Sequence, residues 1–289
     1  MIGRSCTPRP RKAFRGFTLI ELVVVIAILA ALAGLVVSKV DFLRRQSTMA
    51  VAADTSGDVF NNLSLYLVTN STLPNGFDSL LGTDGNLYPG LIGYTDNVGS
   101  LPTSFAATPI AYSSTDKRLN SLVRMGMSFV NDHNLTAGTN ATDSGTVSRA
   151  LSSGTPPAPI ASPGNWALVL AGNSIWKAIY PTNTWGSTYA TTTSMVIDSN
   201  GTQVSLVGLG IGPGNSMNGV TMATPPQFPG PDSNLYYYRY VAIIAVYTDG
   251  RRAQLKTVVD SFGRTVDGAL SNYSSAAPDD LPPGSRTPE

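Results

Sequence analysis

The 289-residue sequence contains one cysteine, Cys6, and one histidine, His133. A single cysteine excludes an internal disulfide framework, and with a single histidine it excludes a Cys/His zinc site. Any Ser-His-Asp or Cys-His chemistry would have to run through His133. Charge is also scarce. The 19 basic and 18 acidic residues make up 13% of the chain, about half the usual share. The formal net charge of +1 provides no global field for nucleic acid or an acidic partner. Neutral polarity takes its place: 30 Ser, 29 Thr and 18 Asn outnumber the charged residues two to one. With 28 Gly and 20 Pro, this composition predicts a loop-rich body. The apolar content of 42% is too high for a wholly disordered chain.

The apolar residues are concentrated at one end. Phe17 to Val37 reads FTLIELVVVIAILAALAGLVV, with only Thr18 and Glu21 polar. Its 21 residues would span about 31 Å as a helix, enough to cross a bilayer core. Ahead of it, MIGRSCTPRPRKAFRG holds Arg4, Arg9, Arg11, Lys12 and Arg15 and no acid. That bias predicts a cytoplasmic amino terminus and a head on the far side of the membrane. The run is longer than the apolar region of a secretory signal, and cleavage at its alanines would cut the helix in half.

The junction Arg15-Gly16-Phe17-Thr18-Leu19-Ile20-Glu21, followed at once by the apolar run, resembles the signal of type IV pilins and type II secretion pseudopilins. The resemblance implies a leader, residues 1–16, removed by a prepilin peptidase between Gly16 and Phe17. Phe17 would then be N-methylated. It implies a transmembrane and filament-core helix over 17–37 and a single-pass place in the bacterial inner membrane. From there the subunit would pass into a periplasmic or extracellular filament. It also implies partners: other pilin or pseudopilin subunits and an inner-membrane assembly platform. Glu21 would pair with the amino terminus of a neighbouring subunit. An ionisable group inside a membrane helix is costly and marks a function, and a desolvated carboxylate needs such a partner. Removing the leader takes away Cys6 and five positive charges, so the mature side chains sum to +1 − 5 = −4. Many family members have a Pro late in the membrane helix. Ser38 stands in the equivalent place here.

Beyond the span, Val40, Leu43, Ser47, Val51, Thr55, Val59, Leu63 and Leu67 recur at helical spacing. An amphipathic continuation over 38–70 is expected, with a weak point at Asp54 to Asp58. Leu73-Pro74-Asn75-Gly76-Phe77-Asp78-Ser79-Leu80-Leu81 resembles a run that follows the long helix in major pseudopilins. Pro-Asn-Gly would in any case make a turn. A head over 71–273 follows, then a Pro-rich tail, 274–289. In the head a helix is expected over Asp116 to Val130 with Thr115 as cap, and a connector over Thr155 to Gly164. Strands are expected at Trp166 to Ala171, Ser194 to Ile197, Leu235 to Tyr247 and Arg252 to Val259. The last two should form a hairpin turning at Asp249-Gly250. The predicted fold class is α+β: a long amino-terminal helix, membrane-spanning in its first half, packed on a mainly antiparallel β head.

No nucleophile elbow or metal-ligand spacing accompanies His133, which reads as a surface residue in a polar turn. Tyr236, Tyr237, Tyr238 and Tyr240 read as sheet residues. Some pseudopilins bind calcium near the carboxyl end. By that resemblance Asp249, Asp260 and Asp267 are calcium candidates, although acids in turns are the commoner reading. Asp198 to Gly201 lacks the spacing of an EF-hand. No other cofactor is implied. The expected function is non-enzymatic: a filament subunit, with a type II secretion pseudopilin favoured by the LPNGFDSLL run and by the absence of a cysteine pair. The alternatives are a major or minor type IV pilin for adhesion, motility or DNA uptake, or a membrane-tethered binding module using a pilin-like anchor.

Overall fold

A computed structural model describes residues 18–82, 105–111, 117–135, 143–151, 165–180, 195–196, 201–227, 237–260 and 263. The chain divides into two compact units, Met1–Arg45 and Gln46–Glu289. Helix α1, Leu19–Asn70, contributes to both. Strands β1 (Phe77–Gly82) and β2 (Phe105–Ala111) follow, then helix α2 (Arg118–Val123) and strands β3 (Phe129–Leu135), β4 (Asp143–Ala150) and β5 (Asn165–Ala171). Helix α3 (Asn173–Ile179) and strands β6 (Met195–Val196), β7 (Gln203–Gly210), β8 (Val241–Tyr247) and β9 (Gln254–Val259) complete the described elements. The fold is α+β with a mainly antiparallel sheet. Among the described pairings between named strands only β1 with β3 is parallel.

Strand β7 is the hub. One edge pairs with β8 along its whole length. The other edge is shared in turn by β6 at Val204, β5 at Val207 and β1 at Gly210. Both faces of the sheet are covered. Ala242, Ile244 and Val246 of β8 join Val207 and Leu209 of β7 in a core with Ala52, Val59 and Leu63 of α1. Val241, Ile243, Ala245 and Tyr247 join Val204 and Leu206 in a second core with Ile175 and Trp176 of α3. Every residue of β8 is buried, which explains an unbroken apolar run where a half-exposed strand would alternate.

In the head, α1 docks through Ala52, Ala53, Ser56, Val59 and Leu63, all buried. The spacing is helical, but the stripe is rotated from the expected one, because Val51 is 55% exposed. The helix also continues through Asp54–Asp58. Polar contacts hold it there: the Ser56 hydroxyl donates to the Val258 carbonyl at 3.1 Å, and the Tyr240 hydroxyl donates to the Ala52 carbonyl at 3.1 Å. Ser71, at φ 56°, ends the helix in the left-handed region.

Several expectations need correction. The expected helix over Asp116 to Val130 is only Arg118–Val123. Gly126, at φ +81°, turns the chain there, and β3 begins at Phe129. Lys117 occupies the N-cap position without a side-chain cap bond, and Thr115 lies outside the described residues. The strand expected from Leu235 begins at Val241. The β8–β9 connection is longer than two residues. The Gly250 N–H donates to the Tyr247 carbonyl at 3.0 Å, so Thr248 and Asp249 are the central turn residues. Gly250 follows at φ +72°. The leader, Thr155 to Gly164 and the tail lie outside the described residues. Among the described residues no helix is long and apolar enough to cross a membrane.

Two expected outcomes follow. Gly250→Val forces a β-branched residue into positive φ and sets its Cβ against Lys117. It should lower head stability by about 1–3 kcal/mol, read from the thermal midpoint of a 46–289 fragment. The second concerns alkali. Burial raises the Tyr240 phenol to about 12, opposed by a hydrogen bond with Thr55 and assisted by the negative charge of Asp260. Burial likewise raises Tyr180 to about 12. Below pH about 10 both phenols are neutral, folded or unfolded. Between about 10 and 12 only the unfolded chain ionises, so stability is lost as pH rises through that window. Tyr240→Phe should flatten this loss in a denaturation series; an unchanged slope would reject it.

Candidate functional site

Thr18 and Glu21 form a reciprocal cap at the start of α1. The Glu21 Oε2 accepts from the Thr18 backbone N–H and hydroxyl, both at 2.9 Å, and the Glu21 N–H donates to Thr18 Oγ1 at 3.4 Å. Thr18 is the N-cap and Glu21 the third helical residue, the capping-box arrangement. The carboxylate also faces the positive end of the helix dipole. The sequence reading assigned Glu21 to a neighbour and missed this local role, although Thr-x-x-Glu before an apolar run is its signature. Behind the cap, α1 is apolar all round. Its large apolar side chains from Leu19 to Leu32 are 49–80% exposed. Gly16 and Phe17 lie outside the described residues.

The head holds a second polar constellation. β1 and β3 run parallel, with Asp78 beside Asn131. The Tyr237 hydroxyl donates to Asp78 Oδ2 at 2.8 Å. His133 Nε2 stands 3.7 Å from the same oxygen, and its ring meets Tyr237 edge-on at 6.0 Å between centroids. His133 is 5% exposed, so the expectation of a surface histidine is wrong. Its segment is a strand buried on both faces, not a turn. On the other face Arg149 clamps Asp132 at 2.6 and 2.7 Å, and Ser79 donates to Asp132 at 2.5 Å. Burial lowers the Arg149 pKa, and Asp132 opposes that shift.

Four alternating glycines make room for this packing. A Cβ at Gly208 would press on Phe105, at Gly210 on Tyr237, at Gly212 on the Asp78 carboxylate and at Gly214 on Asn131. Gly208 and Gly210 share one face of β7, and Gly212 and Gly214 lie in the turn that follows it. Closed over and nearly inaccessible, Asp78, His133 and Tyr237 act as packing and hydrogen-bonding groups.

The two described calcium candidates, Asp249 and Asp260, are not brought together. Asp249 Oδ1 accepts from the Arg251 N–H at 3.0 Å and its Oδ2 meets the Arg251 guanidinium at 2.6 and 2.7 Å. That arginine holds the Asp249 carboxyl below its ordinary range. Asp260 is buried at the far end of the β8–β9 hairpin, about 20 Å away by strand rise. Asp267, Asp198 and Tyr236 lie outside the described residues. Among the described residues no group of three or more His, Cys, Asp or Glu is placed to hold a metal ion.

Residues 11–37, which include the capped helix start, match the prokaryotic N-terminal methylation motif. The chain therefore carries the hallmark of the type IV pilin and pseudopilin family. That motif implies processing by a prepilin peptidase and assembly with other pilin subunits. No curated protein and no solved structure matches the chain at a significant level.

Thr18→Ala removes the hydroxyl donor and acceptor of the cap. It should cost the helix start about 1 kcal/mol. Amide exchange of residues 18–22 in detergent micelles should quicken about fivefold by that free energy; unchanged protection would count against the cap.

Proposed function

We propose that the chain is a non-enzymatic structural subunit of a type IV pilus-like filament and, within that class, a type II secretion pseudopilin. The observation that carries the reading is the methylation motif, joined to a capped helix that exposes apolar side chains on every side. A helix apolar all round needs an apolar environment. Here it is supplied first by the inner membrane, crossed once by residues 17–37, and then by neighbouring helices in the fibre. Cleavage falls between Gly16 and Phe17, Phe17 is N-methylated, and an inner-membrane platform feeds the head from the periplasm into the fibre. The pseudopilin assignment draws on Leu73 to Leu81: the run turns at Pro74–Gly76 and its second half enters β1, between β7 and β3 in the sheet.

Glu21 is the assembly residue. When a subunit joins the fibre, the Phe17 ammonium of a neighbour enters an apolar core. The Glu21 carboxylate, otherwise occupied by Thr18, is its counter-charge. Leaving that ammonium unpaired costs about 3–5 kcal/mol per subunit.

Mass spectrometry of the mature protein should find N-methyl-Phe17 as its terminus. A retained leader in cells with active peptidase defeats the family reading. Glu21→Val should give a processed, membrane-inserted protein that does not extend a homopolymer; equal yields of sheared fibre would reject the ion pair. A deletion strain assayed for secreted proteins and surface filaments separates the pseudopilus from a true pilus.

A further inference from the structure

Arg239 is a buried cation without an opposite charge. It is 9% exposed. Arg149, the other arginine buried among the described residues, is met by Asp132 at 2.6 and 2.7 Å. The partners of Arg239 are neutral: Nη1 donates to the Pro225 carbonyl at 3.4 Å, and Nη2 donates to the Tyr238 hydroxyl at 3.0 Å. Among the described residues no carboxylate bonds to it. Asp78, Asp132 and Asp249 are engaged by Tyr237, Arg149 and Arg251. A cation withdrawn from water without a counter-charge is costly, and buried charges are as a rule paired.

The local fold holds this side chain in place. Tyr237 and Tyr240, on either side of it in the chain, are anchored through their hydroxyls to the Asp78 carboxylate and the Ala52 carbonyl. An antiparallel bridge joins Arg239 to Gln227, so the segment Pro225 to Gln227 passes beside it. The half-buried Tyr238 ring covers one face of the guanidinium, with its centroid 4.7 Å from the guanidinium carbon. The donor edge is less well served. Nε has no hydrogen-bond partner and is not sealed from solvent. The contact to Pro225 is longer than a well-formed hydrogen bond. The Tyr238 hydroxyl accepts from Arg239 and keeps its own proton to donate. Spare guanidinium donors and a phenol proton therefore stand together at one place, with a positive charge and no acid. A planar donor fork beside a hydroxyl suits a carboxylate or phosphate and repels a metal cation.

We propose that Arg239 and Tyr238 form a binding site for a small oxyanion, inorganic phosphate or a free carboxylate. The anion supplies the counter-charge that no described residue supplies. By holding the guanidinium it also steadies Pro225 to Gln227, the segment that Arg239 braces. The site belongs to the head alone and does not depend on the filament reading.

The test uses the full chain in detergent micelles. Inorganic phosphate and, separately, acetate are titrated at constant ionic strength set with chloride. Binding is read from the heat released and, for phosphate, from the broadening of its phosphorus NMR line. Wild type should saturate with a dissociation constant of about 1 mM or tighter for at least one of the two. Saturation by phosphate alone assigns phosphate, and saturation by acetate alone assigns a carboxylate. Arg239→Gln keeps a donor for the Pro225 carbonyl but removes the charge, and should weaken binding tenfold or more. Arg239→Lys keeps the charge without the fork and should fall between that variant and wild type. Tyr238→Phe keeps the ring and removes the phenol donor; it should weaken binding by about threefold to tenfold, and it carries the test if Arg239→Gln does not fold. No saturable binding of either ion by wild type up to about 20 mM overturns the site. So does an Arg239→Gln chain that binds as wild type does. Variants that lower the thermal midpoint equally with and without the anion would make Arg239 a brace only, and that too overturns the site.

Discussion

The head depends on burying one strand from both sides. β8 has no exposed residue, so each of its faces needs a cover. The second half of α1 supplies one and α3 helps supply the other. Seven buried residues of this kind are worth of the order of 10 kcal/mol in transfer free energy, comparable to the net stability of a whole domain. α1 cannot therefore be treated as a stalk attached to a finished domain: Ala52, Val59 and Leu63 are core residues of the head. The bonds to Ala52 and Val258 carbonyls fix its rotation, because a helix turned by one residue would present Val51 or Asp54 to the sheet.

That rotation explains which parts of the fold were legible. The apolar run of β8, the Asp-Gly turn region and β5 could be read from residue type, because β-branched runs and turn residues act locally. The register of α1 could not. Val51 and Ala52 are both compatible with burial, and only the Tyr240 and Ser56 contacts, each spanning about two hundred residues of sequence, decide between them. β7 escaped notice for a different reason. Gly208 and Gly210 lower strand propensity, yet the sheet needs them where Phe105 and Tyr237 cross its face. His133 was misread because Asn131-Asp132-His133-Asn134 is polar throughout. Polar residues occupy a buried strand only when Gly76, Ser148, Arg149 and Tyr237 arrive from elsewhere to satisfy or pack against them. The cap at Thr18 was missed although both partners lie within four residues, because a carboxylate in a membrane helix pointed to a neighbour instead.

The scarcity of charge shapes how copies of the chain can meet. A surface of Ser, Thr and Asn is well hydrated and neither strongly attracts nor repels another like it. In the described head Asp249 is neutralised by Arg251, and Asp132 by Arg149. These pairs stabilise their own turns and strands and leave little field outside. Discrimination between a correct and an incorrect neighbour then falls on the few groups without a local partner. In apolar surroundings desolvation strengthens the interaction between a matched pair of charges and penalises a mismatched one.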